Sequence, residues 1–245
     1  MMKRYRVLAL VCLAALLAAC STILGDQIVG SGKVITEERP VGRFTSIELS
    51  CSADVALAQG DQILVSIEGE DNIIPLIETK VSGFTLHIDV KPNTSYSHTK
   101  PLVVHITAPV ITSVKTTGSG DVEMDQWVVD SLDLAITGSG NIHIGKLDAP
   151  AITAEVSGSG DISIAGGEGG KQNITTTGSG DFDARSLESL EVTAKATGSG
   201  DITVWVTRSL SATTSGSGDI RYFGSPQVNQ KTTGSGNVEK LGDEP

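Results

Sequence analysis

The sequence predicts an all-β fold, a single-stranded parallel β-helix (solenoid) of about 20-residue coils with a short capping helix near its N-terminal end. Three observations carry that prediction. A Gly-Ser-Gly-Asp/Asn turn followed by a hydrophobic residue occurs seven times, at spacings of 20, 20, 20, 20, 18 and 18 residues. A fixed period of this size marks units too small to bury a core alone, which must stack on their neighbours. Apolar residues alternate before each turn, as in Leu132, Leu134 and Ile136, and after it, as in Ile142 and Ile144. That is the period of a strand with one face turned inward. No helical stretch separates the copies, which rules out a βαβ fold, and an aromatic content of 4% suits a thin interior of Val, Ile, Leu and Ala.

The first segment, 1–19, reads as a signal sequence. Lys3, Arg4 and Arg6 precede an uncharged run from Val7 to Ala19, which ends at Leu17-Ala18-Ala19-Cys20. The run is shorter than the ~20 apolar residues a spanning helix needs. Leu-Ala-Ala-Cys resembles the lipobox of bacterial lipoproteins, which implies that Cys20 becomes the acylated first residue of the mature chain. Several acyl chains, palmitate among them, would then hold it on a membrane, since one chain alone binds only marginally. Ser21, in place of Asp, resembles the sorting pattern for the outer membrane of Gram-negative bacteria, with the leaflet left open.

Removing 1–19 leaves 15 basic and 29 acidic residues, a net charge of −14. Such a surface is a poor partner for nucleic acid. Cys12 leaves with the signal and Cys20 carries lipid, so Cys51 stands alone, with neither a disulfide partner nor a cysteine-based zinc site. Residues 20–43, with Gly25, Gly30, Gly32, Pro40 and Gly42, read as a lipidated tether with a first strand near Gly32 to Thr36.

Residues 44–110 read as degenerate coils and a cap. Phe44 to Leu49 alternates as a strand and leads into Cys51-Ser52-Ala53-Asp54-Val55, which aligns with the repeated turn and makes an eighth, degenerate corner. Strands follow at Ile63 to Ile67, Phe84 to Val90 and Leu102 to Thr107. Between them Asp71 or Asn72 could cap a short helix carrying Pro75 in its first turn, closing the open end of the solenoid.

Residues 111–241 hold the repeats. Their structural turn positions are Gly118, Gly120 and Asp121; Gly138, Gly140 and Asn141; Gly158, Gly160 and Asp161; Gly178, Gly180 and Asp181; Gly198, Gly200 and Asp201; Gly216, Gly218 and Asp219; and Gly234, Gly236 and Asn237. Glycine is expected where a Cβ would clash, and Asp or Asn where a side chain can bond corner N–H groups. A third inward position is expected at Trp127, Leu147, Leu187 and Leu241. The inward Thr116, Gln172 and Gln230 fit the apolar column poorly, and Gly166 to Gly170 reads as an enlarged loop.

Two chemistries compete for the corner. Stacked Asp161, Asp181, Asp201 and Asp219 could form a cation-binding edge, because Ca²⁺ takes six to eight oxygen ligands. Against that, Asn141 and Asn237 occupy the same corner without charge, which turn geometry tolerates and a metal ladder does not. No metal or cofactor is therefore expected. The aligned serines lack the strand-turn-helix setting and recurrent His of a nucleophile elbow, so no catalytic residue is expected either.

The lipobox, the Phe44-x-x-Ile47-x-Leu49 strand and the repeated Gly-Ser-Gly-Asp/Asn-Ile/Val together resemble the bacterial family described as putative auto-transporter adhesin, head GIN domain. The likeness spans about Phe44 to Leu241 and implies a right-handed parallel β-helix in the cell envelope. The resulting expectation is a non-enzymatic, lipid-anchored envelope protein acting as an adhesin or surface-interaction scaffold for protein or glycan partners. A polysaccharide-active β-helix enzyme and a periplasm-facing structural or sensory lipoprotein stand as alternatives, and oligomeric state is left open.

Overall fold

The computed structural model describes residues 27–245. The signal sequence and Cys20 lie outside the described residues. Most of the described chain is a β-solenoid whose strands pair coil to coil in parallel, with antiparallel pairs confined to the N-terminal end.

One inward column runs through Leu86, Ile47, Val114, Leu134, Ala154, Ile174, Ala194, Ala212 and Gln230. A second, after the corner, runs through Val104, Val55, Val122, Ile142, Ile162, Phe182, Ile202, Ile220 and Val238. Each buried Val, Ile or Leu of these columns stabilises by roughly 1.5–3 kcal/mol. The degenerate corner at Cys51 takes its place in this register, with Val55 opposite Val122 and Ile47 opposite Val114.

A third column holds Trp127, Leu147, Gly167 and Leu187 in successive coils. Trp127, Leu147 and Leu187 are fully buried, and the Trp127 indole N–H donates to the Ile111 carbonyl at 3.1 Å. Leu241 departs from the expectation and is 43% exposed, because it falls at a register shift, between Lys240 opposite Tyr222 and Gly242 opposite Phe223. Gln230 is exposed in the same last coil, so its polarity meets water rather than the core. Thr116 and Gln172 are buried, and the Gln172 amide donates to the buried Ser189 hydroxyl.

The Gly166 to Gly170 stretch is not an enlarged loop. Gly167–Thr176 is a strand in register with Leu147 and Leu187, and a Cβ on Gly167 would stand 2.0 Å from the Leu147 carbonyl oxygen. With φ of +120° as well, this position needs glycine to keep the coil in contact with its neighbour.

The N-terminal end is closed by strands, and the expected capping helix is reduced to one 3₁₀ turn, Ile74–Leu76. The reason lies in the candidate caps, whose side chains are engaged elsewhere. The Asn72 amide oxygen accepts from Ser31 N–H at 2.8 Å and its nitrogen donates to the Val29 carbonyl at 2.8 Å, while Asp71 accepts from the Ser31 hydroxyl at 2.6 Å. Thr85–Val90 and Val103–Ala108 lie beneath the coil formed by residues 44–60, although they follow it in sequence. Ile77–Ser82 and Leu64–Glu70 pair with them antiparallel, and Val34–Glu38 adds antiparallel to Leu64–Glu70. The expected tether of 20–43 is thus folded onto the body over part of its length, since Ile28–Val29 also pairs with Tyr96–Ser97.

A buried carboxylate fastens this cap. Glu70 is 1% exposed and accepts from Thr99 N–H at 2.7 Å, the Thr99 hydroxyl at 2.6 Å and Gly32 N–H at 2.6 Å. The Thr99 hydroxyl and these backbone donors favour the charged form and bring its pKa down to about 2.

Candidate interaction surfaces of the solenoid

The repeated corner follows from a steric requirement. A Cβ on Gly138 would stand 2.0 Å from the Gly118 carbonyl oxygen, and one on Gly140 2.0 Å from that of Gly120. The same contact recurs at Gly158, Gly160, Gly178, Gly180, Gly198, Gly200, Gly216, Gly234 and Gly236, and at 2.1 Å for Gly218. The positive-φ glycines lie elsewhere, so the requirement is contact between coils. Gly118 and Gly120 meet the backbone of Cys51 and Ala53 in this way. Cys51 and Ala53 themselves can carry a Cβ because the chain between Val90 and Val103 takes a long path beneath them instead of a tight corner.

The aspartates and asparagines form one ladder. Asp54 Oδ1 accepts from Asp121 N–H, Asp121 from Asn141, Asn141 from Asp161, Asp161 from Asp181, Asp181 from Asp201, Asp201 from Asp219, and Asp219 from Asn237, at 2.7–3.0 Å. Their backbone carbonyls in turn accept from the preceding coil, as Asp161 does from Ile142 N–H at 2.9 Å. An amide oxygen serves this purpose as well as a carboxylate, which is why Asn can stand in the column. Arg221 bridges Asp201 and Asp219 through their second oxygens at 2.7 and 2.8 Å. Two of the four candidate Ca²⁺ ligands are therefore already ion-paired. Among the described residues, no three His, Cys, Asp or Glu side chains converge as a metal site.

The remaining reactive groups are dispersed. His143 faces Ser163, not a corner serine, and His87 and His105 face Glu48 and Glu68. Cys51 is buried and burial pushes its thiol up from the ordinary 9.0, so it stays protonated and unreactive. No described helix is long and apolar enough to cross a membrane.

Sequence reasoning missed a groove of about 1020 Å³ on the third side of the solenoid. Its floor is Ala149, Gly169 and Ser189, paired in successive coils and buried. Small side chains at this bend leave the surface concave. One lip carries Val128, Asp148, Glu168 and Glu188 in register; Asp130, Pro150, Gly170 and Leu190 stand across the floor. Next to Val128, the Gln59 amide nitrogen donates to the Pro109 and Val128 carbonyls, both at 3.0 Å. One end of the groove falls at the register shifts after Ala184 and Ser189, where the period drops from 20 to 18. A signal was present in the sequence, acidic residues recurring 20 apart, but its meaning depends on which residue faces outward at that bend.

Fold and corner together define a class: a capped parallel β-solenoid whose repeated polar residues bond one coil to the next. The chain belongs to the family described as "Putative auto-transporter adhesin, head GIN domain", whose pattern matches residues 43–226. It is similar to a protein of Bacteroides fragilis described as a "putative adhesin", at 28% identity over 87% of this chain and 100% of that one, with a TM-score of 0.84. A "putative adhesin" of Parabacteroides distasonis is 26% identical over 88% and 100% of the two chains, with a TM-score of 0.72. A second Parabacteroides distasonis protein, described as a "putative lipid binding protein", shares the fold at 24% identity over 88% and 100%, with a TM-score of 0.70. No curated protein matches the chain.

Proposed function

We propose that the chain is a lipid-anchored protein of the bacterial outer membrane, held through Cys20, whose solenoid serves as an adhesin or surface-interaction scaffold and not as an enzyme. The observation that carries this reading is the corner ladder. Its Asp and Asn groups, present at every corner, bond the next coil, so the repeat builds a rigid body. What faces partners is the outward Thr, Ser, Lys and Asp of each sheet, such as Thr153, Thr193 and Lys195. The adhesin descriptions of the family and of the two similar proteins support the same reading.

Metabolic labelling with palmitate, followed by membrane fractionation, tests the anchor. The wild-type chain should incorporate label and sediment with outer membranes, and Cys20→Ser should lose both. Protease treatment of intact cells then separates surface display from a periplasm-facing position. Unlabelled wild-type protein in the soluble fraction would overturn the proposal.

A further inference from the structure

The groove on the third side combines two features that a merely solvated surface does not bring together. Val110, Val128 and Leu190, among the few large apolar side chains left exposed, line it at 42, 53 and 44% exposure. Asp148, Glu168 and Glu188 occupy the same position of three successive coils. Asp148 is partly satisfied: it lies 3.5 Å from Lys146 and accepts from Glu168 N–H at 3.2 Å. Among the described residues, Glu168, Glu188 and Asp130 have no basic side chain within 4.0 Å. Repelling carboxylates beside exposed apolar groups call for an occupant that is cationic at intervals and aliphatic between them.

Spacing narrows the choice. Stacked coils repeat at about 4.8 Å. Two ammonium groups joined by three methylenes span four bonds of about 1.5 Å, which is about 5 Å along an extended zigzag. An extended peptide places same-side residues about 6.8 Å apart and does not match successive rungs. From this we infer that the groove binds a linear aliphatic polyamine. Its ammonium groups lie on Glu188, Glu168 and Asp148 in turn, with its methylenes against Pro150, Leu190 and Val128.

The test uses two triamines of equal charge, one with three-carbon arms (norspermidine) and one with four-carbon arms (homospermidine). Calorimetric titration of the mature, unlipidated chain should show saturable binding that is tighter for norspermidine by about tenfold, one misplaced charge-assisted contact. Glu168→Gln and Glu188→Gln should each weaken it by about tenfold or more. Glu155→Gln, an exposed carboxylate on another face, should leave it unchanged. All three changes are at exposed side chains, and a melting curve for each variant shows that the fold is kept. Equal affinity for the two triamines, equal loss in Glu155→Gln, or tight binding of an alternating Lys-Val peptide with none of either amine would each overturn the inference.

Discussion

Gly160→Ala is expected to destabilise the solenoid by about 3 kcal/mol or more, the upper end of what overpacking costs. The added methyl would stand 2.0 Å from the Gly140 carbonyl oxygen and 3.0 Å from the Ser139 carbonyl carbon. Both are backbone atoms of the neighbouring coil, so nothing can rotate out of the way. The two coils would have to separate, losing at the same place the ladder bonds that Asp161 makes to Asn141 and Asp181. Gly166→Ala is the matched control, since its nearest neighbour would be the Gly145 carbonyl oxygen at 3.8 Å. It should be neutral, or stabilising by up to about 1 kcal/mol through a stiffer unfolded chain. Urea midpoints of the two variants check the contrast, and similar midpoints would mean that the corner glycines are not required for stacking.

The second large effect is expected at Glu70. Its folded pKa, about 2, lies below the ordinary 4.5, so it binds fewer protons in the folded chain than in the unfolded one through that interval. Its contribution is fully present above about pH 4.5 and is lost as pH falls through about 2. Hydrogen exchange at the Gly32 and Thr99 amides reads this directly, because both N–H groups donate to the carboxylate. Wild-type protection at these amides should fall between those two pH values. Glu70→Gln should lose protection at one of the two amides even at pH 7, because they donate to different oxygens of the carboxylate and the amide nitrogen that replaces one of these presents donors to a donor. Comparing the two chains removes the background of other titrating carboxylates. Protection in Glu70→Gln equal to wild type would remove Glu70 from the role of cap fastener.

The corners were legible because each is written in a few adjacent residues and copied seven times. Even the degenerate Cys51-Ser52-Ala53-Asp54 corner could be aligned, since Val55 and Leu57 keep the alternation that follows every other turn. The cap was much less legible. Glu70 reaches Gly32 and Thr99 across 38 and 29 residues, and no local pattern announces such bonds. Asp71 and Asn72 have the composition of helix caps, yet partners from residues 29–33 take their side chains first. Gly166 to Gly170 has the composition of a loop. Its conformation is fixed by Leu147 and Leu187 on either side, contacts that arise only once the coils stack. The groove was hidden for the same reason: Asp148, Glu168 and Glu188 become neighbours through registry, and each alone reads as a solvated charge.

The repeated acidic corner is a device for stacking coils. A thermal melt of the mature, unlipidated chain in increasing Ca²⁺, with Mg²⁺ as control, tests this role most directly. With Oδ1 of Asp161, Asp181, Asp201 and Asp219 each holding the next coil's N–H, the melting temperature should show no saturable, Ca²⁺-selective rise. A saturable rise with Ca²⁺ alone, abolished by Asp161→Asn and Asp181→Asn, would contradict it and make the corner a cation site.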